Sequence, residues 1–354
     1  MINKETFDKK WLEKFKSDKQ YSINPPILEK MVYALYLVEQ LQIEGLDFIF
    51  KGGTSLILHF DDFNRYSIDI DIITLESKDK IGFVLEKICQ KEIFTTFSTQ
   101  NRKSKFEKIP KEHYKIQFNS NFSNLPSFIL LDVLFEENSY PAVIQLPVKS
   151  KWLNVSEPFY PINVPSIDSI IGDKLTAFAP NTTGIRYGSG KELEIVKQLH
   201  DLGYLFDFIK NWQVVKESFM ETVAKEIEYR NLDGNFEIVL NDIIKTSLLI
   251  AKRENNKIEP DILNFNEIKR GLQSFRSYTI RNVFRIEDAI LASAKCSVMA
   301  SMILTNSTFN VHLSDKNSID VIENVEYNYL NKLLKTNKPA FQYFYESLKL
   351  LTKI

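Results

Sequence analysis

The sequence predicts an α/β (α+β) core followed by a helical C-terminal domain. Three observations carry this. Short runs rich in β-branched and aromatic residues alternate with amphipathic helical stretches up to about residue 135. Five prolines, Pro141, Pro147, Pro158, Pro161 and Pro165, then make regular helix unfavourable. Beyond them nearly every segment carries apolar stripes at three- and four-residue spacing. The boundary is therefore expected at this proline-rich section, with a core over residues 1–165 and a helical domain over 166–354.

In order, the first 45 residues read as helix, with Trp11, Leu12 and Phe15 on one short stripe. Pro25-Pro26 opens a longer run over 27–43, where Ile27, Met31, Ala34, Leu35, Val38 and Leu41 recur at helical spacing, and Gly45 ends it. Residues 46–50 form a strand entering Lys51-Gly52-Gly53, and Thr54 is expected to cap a helix over 55–60. A strand over 67–75 and a helix over 82–91 follow, and 115–119 and 128–135 have strand composition. Helices are expected at about 167–178, 191–209, 212–230, 236–252, 279–303, 319–335 and 340–351.

With 354 residues, 44% hydrophobic and 26% charged, the chain can bury one or two ordinary cores. Cys89 and Cys296 are its two cysteines, which excludes a disulfide framework and fits a reducing compartment. The N-terminus is charged and no window approaches 18 uncharged apolar residues, so no membrane span and a cytoplasmic location are expected. Forty-five basic against 46 acidic residues argue against a surface coated with nonspecific nucleic-acid affinity. One local basic section, Arg102, Lys103, Lys105, Lys108, Lys111 and Lys115 against Glu107 and Glu112, is either an RNA or DNA contact or a solvated loop.

Residues 51–71 are the most informative stretch. In a strand, Ser67, Asp69 and Asp71 share one face while Ile68, Ile70 and Ile72 share the other, which puts the two carboxylates roughly 7 Å apart. Like charges that close are relieved by a cation, and Mg²⁺ or Mn²⁺ suits carboxylate and phosphate oxygens; a solvated surface pair is the alternative. Gly52-Gly53 ahead of a helix lets backbone amides approach an anion, with Thr54 and Ser55 as hydroxyl donors, although a tight turn alone would also use them. The spacing is not that of a P-loop. Asp132, inside an apolar strand, needs a partner, which is either the same cation or a Lys, Arg or backbone amide. Such a site supports in-line attack of a hydroxyl on the α-phosphate of a nucleoside triphosphate, releasing pyrophosphate, with one of the three aspartates as a possible proton acceptor. Arg65 could hold phosphate or the turn, and Ser67 could contact nucleotide, accept a nucleotidyl group, or simply leave room for ligand.

Lys51-Gly52-Gly53-Thr54-Ser55-Leu56 and Arg65-Tyr66-Ser67-Ile68-Asp69-Ile70-Asp71 resemble the AbiEii/AbiGii toxin family, including MenT-like toxins, of the DNA polymerase beta-like nucleotidyltransferase superfamily. The resemblance is specific here and extends loosely to about residue 210. Downstream, Ser166 opens a helix whose Ile170, Ile171, Leu175 and Phe178 form the buried side, leaving Lys174 either to reach triphosphate oxygens as a mobile charge or to act as an ordinary surface or ion-pair lysine. The segment around Asp201 is similar to another family motif, but Lys197 stands where the family has arginine and Gln198 where it has its first aspartate. Asp201 is an i,i+4 neighbour of Lys197; the resemblance implies instead that it orients Lys174 or the nucleophile. His200 lies on a different azimuth. Gly184, Gly188 and Gly190 mark a loop that covers substrate through Arg186 or Lys191, or that merely connects helices.

The resemblance implies a mixed-sheet core and a metal-dependent toxin that transfers a nucleoside monophosphate from an NTP to an RNA acceptor, with tRNA the expected one. Its catalytic residues would be Asp69, Asp71, Lys174, Asp201 and Ser67. Gly52, Gly53, Thr54, Arg65 and Lys174 would bind nucleotide, and Asp69, Asp71 and Asp132 would bind Mg²⁺ or Mn²⁺. A cognate antitoxin encoded nearby is the expected partner. Transfer to a protein, or a noncatalytic helical binding role, are the alternatives; label on RNA or on protein separates the first two, and insensitivity to Asp69→Ala marks the third.

Overall fold

Among the described residues, seven strands form one mixed sheet in the computed structural model, which describes residues 1–100, 109–308 and 320–352. The strands are β1 (Ile49–Lys51), β2 (Ile70–Ile73), β3 (Thr96–Thr99), β4 (Lys111–Phe118), β5 (Ser127–Leu134), β6 (Val143–Pro147) and β7 (Pro161–Pro165), in the order β3-β4-β5-β2-β1-β7-β6. The β2–β5 and β1–β7 pairs are parallel and the remainder antiparallel. The chain divides into two compact units, Met1–Ser166 with Ser277–Val283, and Ile167–Arg276 with Phe284–Ile354.

The first unit holds the sheet together with α1 (Lys9–Glu13), α2 (Pro25–Ile43), α3 (Gly52–His59) and α4 (Lys78–Cys89). Helix α2 begins at the proline pair and is buried on nearly all sides, its buried Glu29 and Glu39 accepting from the backbone N–H groups of Asn121 and Ile2. Its Tyr33 stacks on Phe118 of β4 at 3.7 Å between ring centroids and meets Phe7 and Phe94 edge-on. Along β4, Tyr114, Ile116 and Phe118 are buried, and along β5, Ile129, Leu131 and Val133 are. The alternate residues of both strands, among them His113 and Asp132, lie on the opposite, more open face.

Two strands stand where the prolines leave only an irregular section in the sequence reading. Pro147 and Pro161 face each other at the end of the β6–β7 pair, and β6 is an edge strand, where a missing N–H disturbs no ladder. Conversely, the strand expected over 67–75 shrinks to Ile70–Ile73: the Thr54 hydroxyl donates to Asp69 O just ahead of it, and residues 64–66 bond to a late segment of the chain, Tyr66 N–H donating to Tyr278 O and Ile280 N–H to Asn64 O.

The second unit is helical: α5 (Ile167–Ala177), α6 (Glu192–Leu205), α7 (Trp212–Arg230), α8 (Phe236–Lys252), α9 (Glu259–Phe275), α10 (Ile286–Leu304), α11 (Leu333–Thr336) and α12 (Lys338–Leu350). Helix α9 falls in a stretch without an expected element. Helix α10 starts at Ile286 rather than near 279, since Ser277–Val283 belongs to the first unit. In place of a helix over 319–335, the described part has a 3₁₀ turn at Asn328–Lys332 followed by α11. Side-chain amides compete with the helix there: Asn331 exchanges two bonds with the backbone of Ile322, and Asn324 Oδ1 accepts from Glu326 N–H. Among the described residues no helix is long and apolar enough to cross a membrane.

Candidate active site

One row of side chains crosses the open face of the sheet. Register pairs Lys51 of β1 with Asp71 of β2, Asp71 with Asp132 of β5, and Asp132 with His113 of β4. Adjacent strands lie about 4.8 Å apart, so four residues scattered over the sequence become neighbours. The two aspartates occupy a parallel pair whose flanking residues Ile70, Leu131, Ile72 and Val133 are buried and fix the register.

Gly52 and Gly53 are dictated by this row. Gly52 has a φ of +76°, and a Cβ there would collide with Asp71 Oδ2, so a side chain is excluded by both conformation and space. A Cβ on Gly53 would meet the Arg65 guanidinium and Ser67 Oγ. The turn thus brings the first residues of α3 against Asp71 on one side and Arg65 and Ser67 on the other. Thr54 does not cap the helix as expected. It lies within α3, buried, where its hydroxyl meets Asp69 O and Ser67 Oγ, the latter at 2.8 Å. The residue before the helix is Lys51, with no side-chain cap. Arg65 is buried, its Nη1 donating to Tyr66 O at 2.9 Å and its guanidinium 5.3 Å from the Phe63 ring centre.

Ser67 and Asp69 precede β2 rather than lying in it, yet Thr54 ties both to α3. Burial, then the neighbouring charge of Asp132, push the Asp71 carboxyl up to about 7; Lys51 opposes this, Asp69 adds to it, and Lys111 again opposes it. Asp132 Oδ1 lies 2.7 Å from His113 Nδ1, with side chains 29% and 19% exposed. His113 is absent from the residues the sequence singled out, and Lys51 appears there only as the residue ahead of the glycine turn. Extending the β4 alternation back to residue 111 would have placed His113 on the Lys115 face. Among the described residues, no three of His, Cys, Asp and Glu converge closely enough to hold a metal ion by themselves.

The helical unit gathers a second set. Lys174 of α5 is buried rather than outward and mobile: Nζ lies 2.8 Å from Asp201 Oδ2 and donates to Gln198 Oε1 at 3.1 Å, both on α6. Gln198, which departs from the family pattern, therefore touches the lysine. Lys197 reaches Glu194 at 2.9 Å. His200 Nδ1 lies 3.3 Å from Asp201 Oδ1, and its ring is packed between Phe275 and Phe284. The glycine loop is anchored, with Gly188 N–H donating to both carboxylate oxygens of Glu267, while Arg186 and Lys191 are exposed. Of the basic section, Arg102, Lys103, Lys105 and Lys108 lie outside the described residues. Lys111 is exposed on β4, and Lys115 sits 4.2 Å from the Phe128 ring centre.

The family model described as "Nucleotidyl transferase AbiEii toxin, Type IV TA system" matches residues 35–276, which span the glycine turn, all three aspartates, Lys174 and Asp201. The chain belongs to this family. Nucleotidyl transfer by a toxin is the AbiEii activity at family level. The chain is also similar to the crystal structure of JHP933 from Helicobacter pylori, at 16% identity and a TM-score of 0.45, over 78% of this chain and 93% of that one. A putative nucleotidyltransferase from H. pylori is similar at 15% identity and a TM-score of 0.35, over 70% and 96% of the two chains. An antigenic nucleotidyltransferase-like protein from Paracoccidioides brasiliensis is similar at 13% and 0.37, over 57% and 89%. No curated protein matches the chain.

Proposed function

We propose that this AbiEii protein transfers a nucleoside monophosphate from an NTP to an RNA acceptor, with tRNA the preferred one, and releases pyrophosphate. The observation that carries the reading is the in-register pair of Asp71 and Asp132 beside the first turn of α3. Crowded carboxylates, one of them with a proton affinity raised to about 7, make a site that a divalent cation relieves. Mg²⁺ commonly takes one or two protein carboxylates and completes its shell with phosphate oxygens and water, so Asp71, Asp132 and Asp69 suit it without a closed protein cage. When bound, such an ion supplies Lewis-acid stabilisation of charge on the transferring phosphoryl group.

The chain's own residues supply the remainder. Amides in the first turn of α3, brought close by Gly52 and Gly53, face the anion end of a triphosphate. Thr54 holds Ser67 and the Asp69 backbone against that turn, and Arg65 keeps the turn closed from behind. The acceptor hydroxyl oxygen forms a bond to the α-phosphorus as the bond to the pyrophosphate oxygen breaks, and the hydroxyl proton passes to a carboxylate of the acidic group. Lys174, held within the helical unit by Asp201 and Gln198, is required for activity, and a cognate antitoxin is the regulating partner.

The test is incubation of the purified protein with each α-³²P-labelled NTP, Mg²⁺ and total tRNA, with Asp71→Asn as control. Metal-dependent label on RNA that Asp71→Asn loses supports the reading. Label on protein in lysate and none on RNA overturns the RNA acceptor, and no label on either overturns the transfer.

A further inference from the structure

We propose that His113 is a positioning residue for the acidic pair: its imidazole locks the Asp132 carboxylate in the orientation in which Asp132 and Asp71 share a divalent cation. This rests on the metal reading of that pair given above. His113 and Asp132 are 19 residues apart in sequence, and the β4–β5 register sets them opposite each other. Nδ1 and Oδ1 lie 2.7 Å apart, within the range of a charge-assisted hydrogen bond.

The surroundings make this bond more than a surface contact. Both side chains are mostly shielded, and the residues flanking them, Tyr114 on β4 and Leu131 and Val133 on β5, are buried, so neither strand can turn to release its partner. Asp132 sits beside the like charge of Asp71, which drives an untethered carboxylate to rotate away. A hydrogen bond to Oδ1 blocks rotation about χ2 and keeps the second oxygen committed to one direction. Donation from Nδ1 is available to the neutral ring, so the carboxylate is held without cancelling the negative charge it offers a cation. A lysine there would add a third positive charge to the Lys51 and Lys111 already acting on Asp71. Hydrogen-bonded carboxylate ligands are the usual arrangement around protein-bound metals.

The experiment is titration of the full-length protein with Mn²⁺ alone, read as free Mn²⁺ by electron paramagnetic resonance, in the wild type, His113→Phe, His113→Asn and Asp71→Asn. Loss of such an outer partner weakens binding by roughly 10- to 100-fold, which is expected of His113→Phe. His113→Asn, whose amide can donate from nearly the Nδ1 position, is expected to recover most of the loss. In the transfer assay, His113→Phe should raise the KM for Mn²⁺ while kcat at saturating Mn²⁺ stays near wild type. Unchanged Mn²⁺ affinity in His113→Phe alongside loss in Asp71→Asn overturns the role of His113 and leaves the metal site standing. Unchanged affinity in both overturns the metal reading and this inference with it. Equal weakening in both His113 variants, together with lowered melting temperatures, assigns His113 to the fold alone and overturns the proposal.

Discussion

Lys174 and Asp201 meet at 2.8 Å with side chains 7% and 0% exposed, so both charges are out of water. Such a pair stands only when its remaining hydrogen-bonding capacity is met, and here Gln198 serves the ammonium while His200 Nδ1 lies against the other carboxylate oxygen. Removing one partner leaves the other buried and uncompensated. Lys174→Ala is therefore expected to destabilise the helical unit by about 3–5 kcal/mol, whereas the double replacement Lys174→Met with Asp201→Leu should return close to wild-type stability. Both proteins are expected to be inactive, which separates the requirement for the lysine from its part in the fold. Urea unfolding followed by circular dichroism reads the first comparison; a Lys174→Ala protein as stable as wild type would contradict it. The sequence exposed residues whose partners are local: Asp69 and Asp71 declare themselves by alternate spacing, and Asp132 by an apolar setting. It concealed His113 and the burial of Lys174, because a register between β4 and β5 and a contact between α5 and α6 leave no trace in neighbouring residues.

At the scale of elements, α3 carries the glycine turn at one end and His59 at the other. The His59 Nε2 is buried and has no hydrogen-bond partner among the described residues, and the Pro165 backbone, at the end of β7, is the neighbour that favours its charged form. Burial pushes its pKa down to about 4, only partly offset by the Pro165 backbone. Below its ordinary value of 6.5 the unfolded chain takes up a proton that folded His59 refuses. The contribution to stability is thus complete above about pH 6.5 and is lost as pH falls toward 4. Urea midpoints are expected to drop between pH 7 and 5 in the wild type and to drop less in His59→Phe; parallel slopes would remove His59 as the cause. Elements with a clear start signal were legible, α2 at its proline pair and α7 and α8 at the capping Asn211 and Asn235 above all. Helix α9 was not, although Phe265, Ile268, Leu272 and Phe275 line its buried side at helical spacing, because no side-chain cap marks its start. Strands β6 and β7 were hidden by prolines, which stand at the ends of these strands, where they are tolerated.

For the molecule as a whole, fold class followed from composition and period, but one connection did not. After leaving the first unit at Ser166, the chain returns to it at Ser277–Val283. Thr279 bridges Arg65, Tyr278 O accepts from Tyr66 N–H at 2.8 Å, and Ile280 O accepts from Ser22 N–H at 2.6 Å. Arg281 adds an ion pair to Asp62 at 2.8 Å. These contacts hold residues 64–66, immediately before Ser67 and the aspartates, and Arg65 in turn packs on Gly53. No local pattern encodes a seven-residue return across more than 200 positions, so it is visible only in the folded chain. Its consequence is measurable at the site. Ile280 is 1% exposed, and Ile280→Asp puts an unpaired charge into that packing. Amides of Ser22 and Tyr66 should then exchange hydrogen faster, while peptides from α7 and α8 keep their protection, and nucleotidyl transfer should fall because the Arg65–Gly53 contact loosens. Hydrogen-exchange mass spectrometry of the full chain decides this: retained protection at Ser22 and Tyr66 in Ile280→Asp would mean that the early segment holds its shape without the late one.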